Sequence, residues 1–448
     1  MRIFKYTSLV AIATLTLASC SSVKNMAVPT MDTAVNITSA KLGTVTEEQS
    51  KHWAHADLAT DTIPGMSLEK AYEFLEGKKG TTVIVGVVDS GIDIEHEDLK
   101  DVLWMNTKEI AGNGIDDDKN GYIDDINGWN FLGGNRVAAP EQLEITRIVA
   151  KLNPRFEGKT IEEISTEDKA DFEKYQEYVK AYEASGSRHF STLERLVEIE
   201  KTFNAVKKHI GKSTLSLNDL NAIQTEDETL KGQVQGLTAL YGRGLDEEQF
   251  NEYYETQKKN KNYDFTFDGR AIVGDNPEDI NDVVYGNGNV IGSKDEESHG
   301  THVAGIILAT RNNGVGMNGV ATNARLMSVR AVPDGDERDK DVALAIRYAV
   351  DNGAKVINMS FGKNYSPNKE WVFDAFKYAE KHDVLLVHAA GNDNKDIDVK
   401  PNWPNDSADK VLEYVDNVLT VGAMSVNNDE NLSANFSNYG KTNVDVFA

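Results

Sequence analysis

Continuous apolar runs of strand length recur along this chain and are separated by amphipathic stretches. The run at 81–91, TTVIVGVVDSG, consists mainly of β-branched residues and stops at Asp-Ser-Gly, which is typical of a buried parallel strand that ends in a turn. Further runs have the same apolar character, at 324–332, 355–362, 383–392 and 417–426. Together these runs predict the strands of a buried parallel sheet.

Helical patterns lie between the predicted strands. The stretches 300–310 and 342–354 have apolar residues at helical spacing, and 366–382 begins with a Ser cap followed by Pro at the first helical position. Strands that alternate with helices of this length predict an α/β fold, a doubly wound parallel sheet with helices on both faces.

Residues 140–262 break this alternation and predict a large helical insertion. The segment is dense in charge and poor in glycine, and its apolar residues form two stripes at helical spacing. The first stripe is Phe172, Tyr175, Val179 and Tyr182, and the second is Leu193, Leu196, Val197 and Phe203. Stripes of this kind usually pack into a core, so the segment is expected to form helices outside the sheet.

Composition and charge narrow the class of partner. The 448 residues are 40% hydrophobic and 27% charged, as in an ordinary globular protein, and the length favours one large domain with insertions or two domains. Nucleic-acid binding requires a concentrated basic surface, so the formal net charge of −25 disfavours a nucleic-acid partner. This charge suits an exported surface and divalent cations. The sequence does not indicate an oligomeric state.

The first 20 residues have the pattern of an export signal. Arg2 and Lys5 give a positive start, 9–17 is mainly apolar, and small residues surround Cys20. The ending Leu-Ala-Ser-Cys resembles the box of bacterial lipoproteins, which implies a lipid on Cys20. Such a lipid would anchor an exported protein to a membrane of the cell envelope, at the periplasmic face or the outer surface. The alternative is an ordinary signal peptide that is cleaved nearby.

The remaining N-terminal sequence predicts a tether. Residues 21–52 are polar and rich in Thr and Ser, and the sequence becomes globular from Trp53 onward, so one domain is expected at 53–448, interrupted by the insertion. Cys20 is the only cysteine of the chain, which excludes an intrachain disulfide.

Two residues at the ends of predicted elements suggest a catalytic pair. Asp89 ends the first predicted strand, and His299 begins the helix predicted from SHGTHVAGI. A helix N-terminus disfavours a protonated imidazole, so His299 is expected to be neutral and to act as a base. Open α/β sheets place their sites at the carboxyl ends of strands, where the Asp89 carboxylate could hold one ring N–H of His299. Taken singly, Asp89 could be a turn residue and His299 a buried structural histidine.

Four motifs in a fixed order favour a catalytic pair over two structural residues. VVDSGID, HGTHVAGI, INMSFG and AAGND resemble the subtilisin-like serine protease (subtilase) family over 53–448, apart from the insertion. The resemblance implies that Asp89 is the orienting acid and His299 the general base, with His302 structural. It also implies that the Asn392 side chain donates to the oxyanion of the tetrahedral intermediate.

The same resemblance assigns a substrate groove for proteins or peptides. Ser360, Phe361 and Gly362 match the strand that pairs with an extended substrate backbone. The segment Ala389, Ala390 and Gly391 would form the wall of the pocket for the residue before the scissile bond.

The nucleophile of the family is absent from this sequence. In the family it lies in a Gly-Thr-Ser-Met-Ala motif, and FSNYGKTNVDVFA at 436–448 matches the approach to that motif, but no Gly-Thr-Ser occurs in the chain. We therefore expect a serine endopeptidase fragment whose catalytic serine lies beyond residue 448. A truncated, inactive product is the other interpretation, and a catalytically inactive, calcium-stabilised peptide-binding lipoprotein of the envelope is the alternative function.

An acidic loop at 113–131, NGIDDDKNGYIDDINGWNF, predicts a structural Ca²⁺ site. Asp116, Asp118, Asn120 and Asp124 fall at positions 1, 3, 5 and 9 of an EF-hand-like loop, and the Tyr122 carbonyl falls at position 7. Alternating oxygen ligands of this kind suit Ca²⁺ better than a softer metal. Asn127 stands where a bidentate Glu is expected, and Asp125 could substitute for it. A solvated acidic turn is the alternative.

Overall fold

The computed structural model describes residues 45–407 and 412–448. The predicted export signal, Cys20 and the tether up to residue 44 lie outside the described residues. Within the last part of the predicted tether, Glu47–His52 form helix α1. No helix in the described ranges is both long enough and apolar enough to span a bilayer.

Helices and strands alternate from His299 to Ala389, and a helical block lies between the second and third strands. Before the block lie α2 (Leu58–Asp61), α3 (Leu68–Leu75), β1 (Val83–Asp89) and β2 (Gly128–Asn130). The block comprises α4 (Glu144–Phe156), α5 (Lys169–Ile210), α6 (Leu217–Ala222), α7 (Glu228–Tyr241) and α8 (Glu247–Lys259). After it come α9 (His299–Leu308), β3 (Ala324–Arg330), α10 (Asp339–Asp351), β4 (Ala354–Met359), α11 (Lys369–Lys381), β5 (Leu385–Ala389), β6 (Val418–Gly422) and β7 (Val446–Phe447).

The strands form one parallel sheet in the order β2-β3-β1-β4-β5-β6-β7. Successive side chains of a strand point to opposite faces, which the neighbours Val87 and Val88 illustrate. Val87 belongs to a core cluster with Ala304 and Leu308 of α9, whereas Val88 belongs to the larger cluster built with α10 and α11. Helices therefore cover both faces, which confirms the predicted α/β fold.

The helical block is a unit with its own apolar cores. Both predicted stripes lie on α5, a single helix of 42 residues. Phe172 and Tyr175 pack with α4, and Leu196 and Phe203 pack with α6, α7 and α8. The long helix thus connects two separate cores.

The two ends of the block meet. The backbone N–H of Leu143 donates to the carbonyl of Asn262 at 3.0 Å, and the hydroxyl of Thr146 donates to the same carbonyl at 2.6 Å. A buried ion pair ties this junction to the sheet, because Nζ of Lys363, a residue that follows β4, lies 2.8 Å from Oε2 of Glu144. The insertion consequently leaves and rejoins the sheet domain at one place.

Candidate active site

The ends of β1 and α9 bring Asp89 and His299 together. Oδ1 of Asp89 lies 2.8 Å from Nδ1 of His299 across a sequence separation of 210 residues. The Asp89 side chain is 1% exposed and the His299 side chain is 61% exposed. The imidazole therefore connects a buried carboxylate with the solvent.

Gly300 permits this contact. A Cβ at position 300 would lie 2.3 Å from the carbonyl oxygen of Gly91 and 3.1 Å from Oδ1 of Asp89. Ala304, one turn further along α9, is fully buried against the sheet. The small residues of the motif thus let the helix start press against the turn after β1.

The backbone fixes the position of Asp89. Its Oδ1 also accepts the N–H of Ser90 at 2.7 Å, and its carbonyl oxygen accepts the N–H groups of Ala331 and Val332 at 3.0 and 3.2 Å. Its Oδ2 is buried and has no hydrogen-bond partner among the described residues. Buried polar atoms are almost always paired, so this oxygen is one of the few exceptions among the described residues.

The hydrogen bond to Asp89 raises the pKa of His299 above its ordinary value, while partial burial opposes the rise. This shift is opposite in direction to the one expected from the helix start. The adjacent Asp89 carboxylate favours the imidazolium. Its direct hydrogen bond outweighs the opposite effect of the dipole of a ten-residue helix.

The other site residues predicted from the sequence lie at the same edge of the sheet. Asp89 ends β1, Ser360 follows β4, and Asn392 follows β5. Because β4 separates β1 from β5, two strand spacings, or roughly 10 Å, separate the ends of β1 and β5. Asn392 is exposed, and its side-chain amide has no hydrogen-bond partner within the described chain.

Asn438 holds the loop that carries Asn392. Its Nδ2 donates to the carbonyl of Ala390 at 2.8 Å, and its Oδ1 accepts the N–H groups of Asp393 and Lys395 at 3.0 and 2.9 Å. Gly391 has a φ of +104°, and a Cβ there would lie 2.4 Å from Nδ2 of Asn438. Sequence reasoning missed Asn438, although it lies within the FSNYG segment that resembles the family.

The segment of Ser360, Phe361 and Gly362 is not part of a strand, because β4 ends at Met359. In the described chain, the backbone N–H groups of these residues have no backbone partner, so this edge is open. The carbonyl of Phe361 accepts from Nε2 of His388 at 2.9 Å. The buried ring of His388 thus orients the segment from the neighbouring strand β5.

The predicted pocket wall is only partly accessible. Ala389 ends β5 and is half-buried, as is Gly391, whereas Ala390 is 1% exposed and its N–H donates to the carbonyl of Val421. Any wall that meets a ligand is therefore formed by the first and last residues of this segment.

Comparison with known proteins identifies the family of this arrangement. The sequence profile of the Peptidase S8 subtilase family matches residues 80–448, which include both members of the Asp–His pair and the whole sheet. The chain belongs to the subtilase family.

Individual subtilases match shorter segments. The thermophilic serine proteinase of Bacillus sp. (strain AK1) is 40% identical over 155 residues, 34% of this chain and 34% of that protein. Thermitase of Thermoactinomyces vulgaris is 35% identical over 151 residues, 34% of this chain and 48% of that protein. The crystal structure of the psychrophilic subtilisin-like protease Apa1 from Pseudoalteromonas sp. AS-11 is 31% identical, covers 36% of this chain and 34% of that chain, and has a TM-score of 0.29. The matched segments span less than half the length of each relative.

This subtilase also carries an acidic group that could hold a metal ion. Glu109, Asp116 and Asp118 each offer a carboxylate oxygen, and these oxygens lie within 4.8 Å of one another. Glu109 is 8% exposed and accepts the N–H groups of Asp117 and Asp118 at 2.8 and 3.0 Å. The sequence analysis missed Glu109, because it precedes the EF-hand-like spacing.

The structure does not bring every predicted ligand into this group. The Asp124 carboxylate accepts backbone N–H groups of residues 112–114 instead. Asn120 and Tyr122 lie in the loop, where the N–H of Tyr122 donates to Oδ1 of Asn120. Asp125 accepts from Asn106, Asn120 and Tyr348, and burial raises the pKa of its carboxyl group.

Proposed function

We propose that this chain carries the acid and the base of an Asp–His–Ser triad that hydrolyses peptide bonds. In this proposal the serine is supplied by polypeptide C-terminal to Ala448. The observation that supports it best is the 2.8 Å contact between the buried Asp89 carboxylate and the exposed His299 ring. With Nδ1 engaged by Asp89, Nε2 is the ring nitrogen left to accept a proton.

The proposed chemistry proceeds through an acyl-enzyme. Nε2 of His299 takes the proton of the serine hydroxyl as the oxygen attacks the scissile carbonyl, and then returns the proton to the leaving amine. Asp89 holds the ring in the correct tautomer and stabilises the imidazolium that forms between these steps. The same hydrogen bond raises the pKa of His299 in the resting protein.

Asn392 is proposed as the donor to the oxyanion. Its exposed amide has no partner among the described residues, and the Asn438 contacts on both sides fix the backbone of its loop. A donor that is oriented before the reaction lowers the barrier by about 2.7–4 kcal/mol.

The open edge at 360–362 supports the proposal that the substrate is a protein or peptide in extended conformation. A peptide that adds as a strand recovers main-chain hydrogen bonds that do not depend on its sequence. The half-buried Ala389 and Gly391 would then border the side chain that precedes the scissile bond.

Calcium is proposed as a structural ion at the acidic group. A spacing of up to 4.8 Å between carboxylate oxygens fits one central ion with bonds of about 2.3–2.6 Å. Glu109, Asp116 and Asp118 would hold it, and it would stabilise the loop, because the triad chemistry requires no metal.

Export to the cell envelope is proposed on two grounds. The N-terminal sequence has the pattern of a lipoprotein signal with Cys20 as the lipidated residue. Similar proteins bear the names cell wall-associated protease and minor extracellular protease, both of Bacillus subtilis. A lipid on Cys20 would hold this subtilase at a membrane surface.

A fluorophosphonate probe tests the enzymatic proposal on the protein extended past Ala448. We expect labelling of one serine in the extended protein, and a labelling rate about 10²–10⁴-fold lower in His299→Ala, because the base is lost. His302→Ala is the matched control, since His302 is exposed on the same helix one turn away, and it should label at the normal rate. If the extended protein is not labelled, the enzymatic proposal is wrong, and binding of an extended peptide then tests the peptide-binding alternative.

A further inference from the structure

A buried arginine lies directly behind the Asp–His pair. Arg330 is the last residue of β3 and is in register with Asp89 of β1. Its residue exposure is 0%, so its whole side chain is inside the protein. The N–H groups of a buried guanidinium must donate to nearby acceptors, because an unpaired buried charge is strongly unfavourable.

One side of the guanidinium holds the turn after the acid. Nε of Arg330 donates to the carbonyl of Ser90, the residue after Asp89, at 2.8 Å. The backbone of Asp89 is itself bound to Ala331, the residue after Arg330. The direction in which Asp89 leaves the sheet therefore depends on this arginine.

The other side holds the segment before the base. Nη2 of Arg330 lies 2.7 Å from Oε2 of Glu297, which is two residues before His299. The Glu297 side chain is 5% exposed, and it also accepts the N–H groups of Ser293 and Ala139 at 2.8 and 3.0 Å. These contacts fix the approach to the first residue of α9.

The remaining donors reach the segment that leads into the insertion. Nη1 donates to the carbonyl of Gly133 at 3.3 Å, and Nη2 donates to the carbonyl of Val137 at 2.8 Å. Three chain segments that are remote from one another in sequence, at Ser90, Glu297 and 133–137, are thus bound by the planar guanidinium of Arg330. A lysine has a single nitrogen and cannot reproduce these separate directions.

We propose that Arg330 and Glu297 form a positioning pair that sets the geometry between Asp89 and His299. Neither residue touches the reacting groups. The pair links the backbone next to the acid with the backbone next to the base, and it joins both to the root of the insertion. Its importance for catalysis rests on the proposed function, but its effect on the Asp–His contact does not.

NMR of the full chain, with ring-labelled histidine, tests the proposal without any catalytic serine. The signals of His299 are assigned by their loss in His299→Gln. In Arg330→Lys and in Glu297→Gln we expect the hydrogen bond between His299 and Asp89 to lengthen. The pKa of His299 should therefore fall toward its ordinary value, and the low-field NMR signal of the Nδ1 proton should weaken or vanish. Glu297→Gln is nearly isosteric and retains an acceptor oxygen, so at least one variant is expected to fold.

Arg311→Lys is the matched control. The Arg311 side chain is 8% exposed, pairs with Glu69 and donates to the carbonyl of Gly319, but it lies beyond the other end of α9. The control should leave His299 unchanged. The proposal is wrong if a cooperatively melting Arg330→Lys or Glu297→Gln protein keeps the wild-type pKa and proton signal of His299. It is also wrong if the control shifts them equally.

In the extended protein, the same variants should lower kcat by about 10²-fold with little change in KM, because misplaced catalytic groups slow the chemical step more than binding. An extended wild-type protein without activity would count against the proposed function alone. The NMR comparison would still decide the role of the positioning pair.

Discussion

His299 and His388 lie at the same end of the sheet, yet their surroundings move their pKa values in opposite directions. A hydrogen bond to Asp89 raises the pKa of His299. Burial lowers the pKa of His388 to about 4, although its hydrogen bond to the Phe361 carbonyl opposes the change. The exposed histidine is therefore suited to gain and lose protons, and the buried one is suited to remain a neutral donor.

Replacing Asp89 by Asn should affect both rate and pH dependence. In the extended protein, the acid limb of kcat/KM should lie above pH 6.5, because His299 must be neutral to act as a base and its pKa is raised. Asp89→Asn should shift this limb to lower pH and reduce kcat/KM by about 10⁴-fold. Steady-state kinetics from pH 5 to 9 measure both effects. The exposed Asp101→Asn serves as control, and an unmoved limb in Asp89→Asn would exclude Asp89 as the partner of the base.

His388 should make stability depend on pH. Its pKa in the folded protein lies below the ordinary value of 6.5, so protonation favours the unfolded chain. This stability contribution is complete above pH 6.5 and is lost as pH falls toward 4, with a slope of up to about 1.4 kcal/mol per pH unit. Urea denaturation of wild type and His388→Gln at several pH values measures the difference. His382→Gln, which replaces an exposed histidine, should leave the pH dependence of the free energy of unfolding unaltered.

Helix α9 contains two glycines that differ in the space available for a side chain. Gly300 faces the turn after β1, where a Cβ would lie 2.3 Å from a backbone carbonyl. Gly305, in the same helix, has no atom within 4 Å of the place where its Cβ would stand, apart from its chain neighbours and the backbone of its own helix. Substitutions at these two glycines therefore distinguish the close approach beside the Asp–His pair from the general effect of glycine in a helix.

Alanine at these two positions should therefore have opposite effects. Gly300→Ala should push α9 away from Asp89, lower the pKa of His299 and destabilise the fold, because backbone must move to relieve the overlap. Gly305→Ala should stabilise by about 0.5–1 kcal/mol, as expected for a helix interior. Thermal denaturation and the His299 NMR signal measure the two effects. Equal behaviour of both variants would contradict the close contact.

For the molecule as a whole, the acidic group provides a test of metal dependence. Calcium should raise the Tm and EDTA should lower it, because an ion that binds only the folded state stabilises that state. Glu109→Gln should remove most of the calcium effect, since Glu109 is the buried member of the group. Exposed Glu157→Gln, outside the loop, is the control. A calcium response that persists in Glu109→Gln would place the ion elsewhere.

The long-range pattern of the sequence was more informative than its isolated residues. The apolar runs predicted β1 and β3 to β6 because each is a continuous apolar run, whereas β2 and β7 have three and two residues and do not stand out from loops. Asp89 and His299 were recognised as a pair through family motifs, because their chain separation of 210 residues hides any direct signal.

Two of the residues that sequence reasoning missed, Arg330 and Asn438, act largely through backbone groups. Arg330 lies within the apolar run at 324–332 and looks like an ordinary strand residue, but its partners include three carbonyl groups from two distant segments. Asn438 likewise binds a loop more than forty residues earlier, through the backbone. Contacts with main-chain groups leave no complementary side chain to search for, so only coordinates reveal them.

The junction where Leu143 meets Asn262 has a consequence for how this protein can vary. A segment whose ends touch can be lengthened, shortened or exchanged without rerouting the sheet, so the block behaves as a removable cassette. The boundary of that cassette is set by Glu144, because a graft that discards it removes one of the two carboxylates that pair with the buried ammonium of Lys363, the other being that of Asp339. Chimeras that swap this block between relatives should therefore be cut after residue 147 rather than before residue 143.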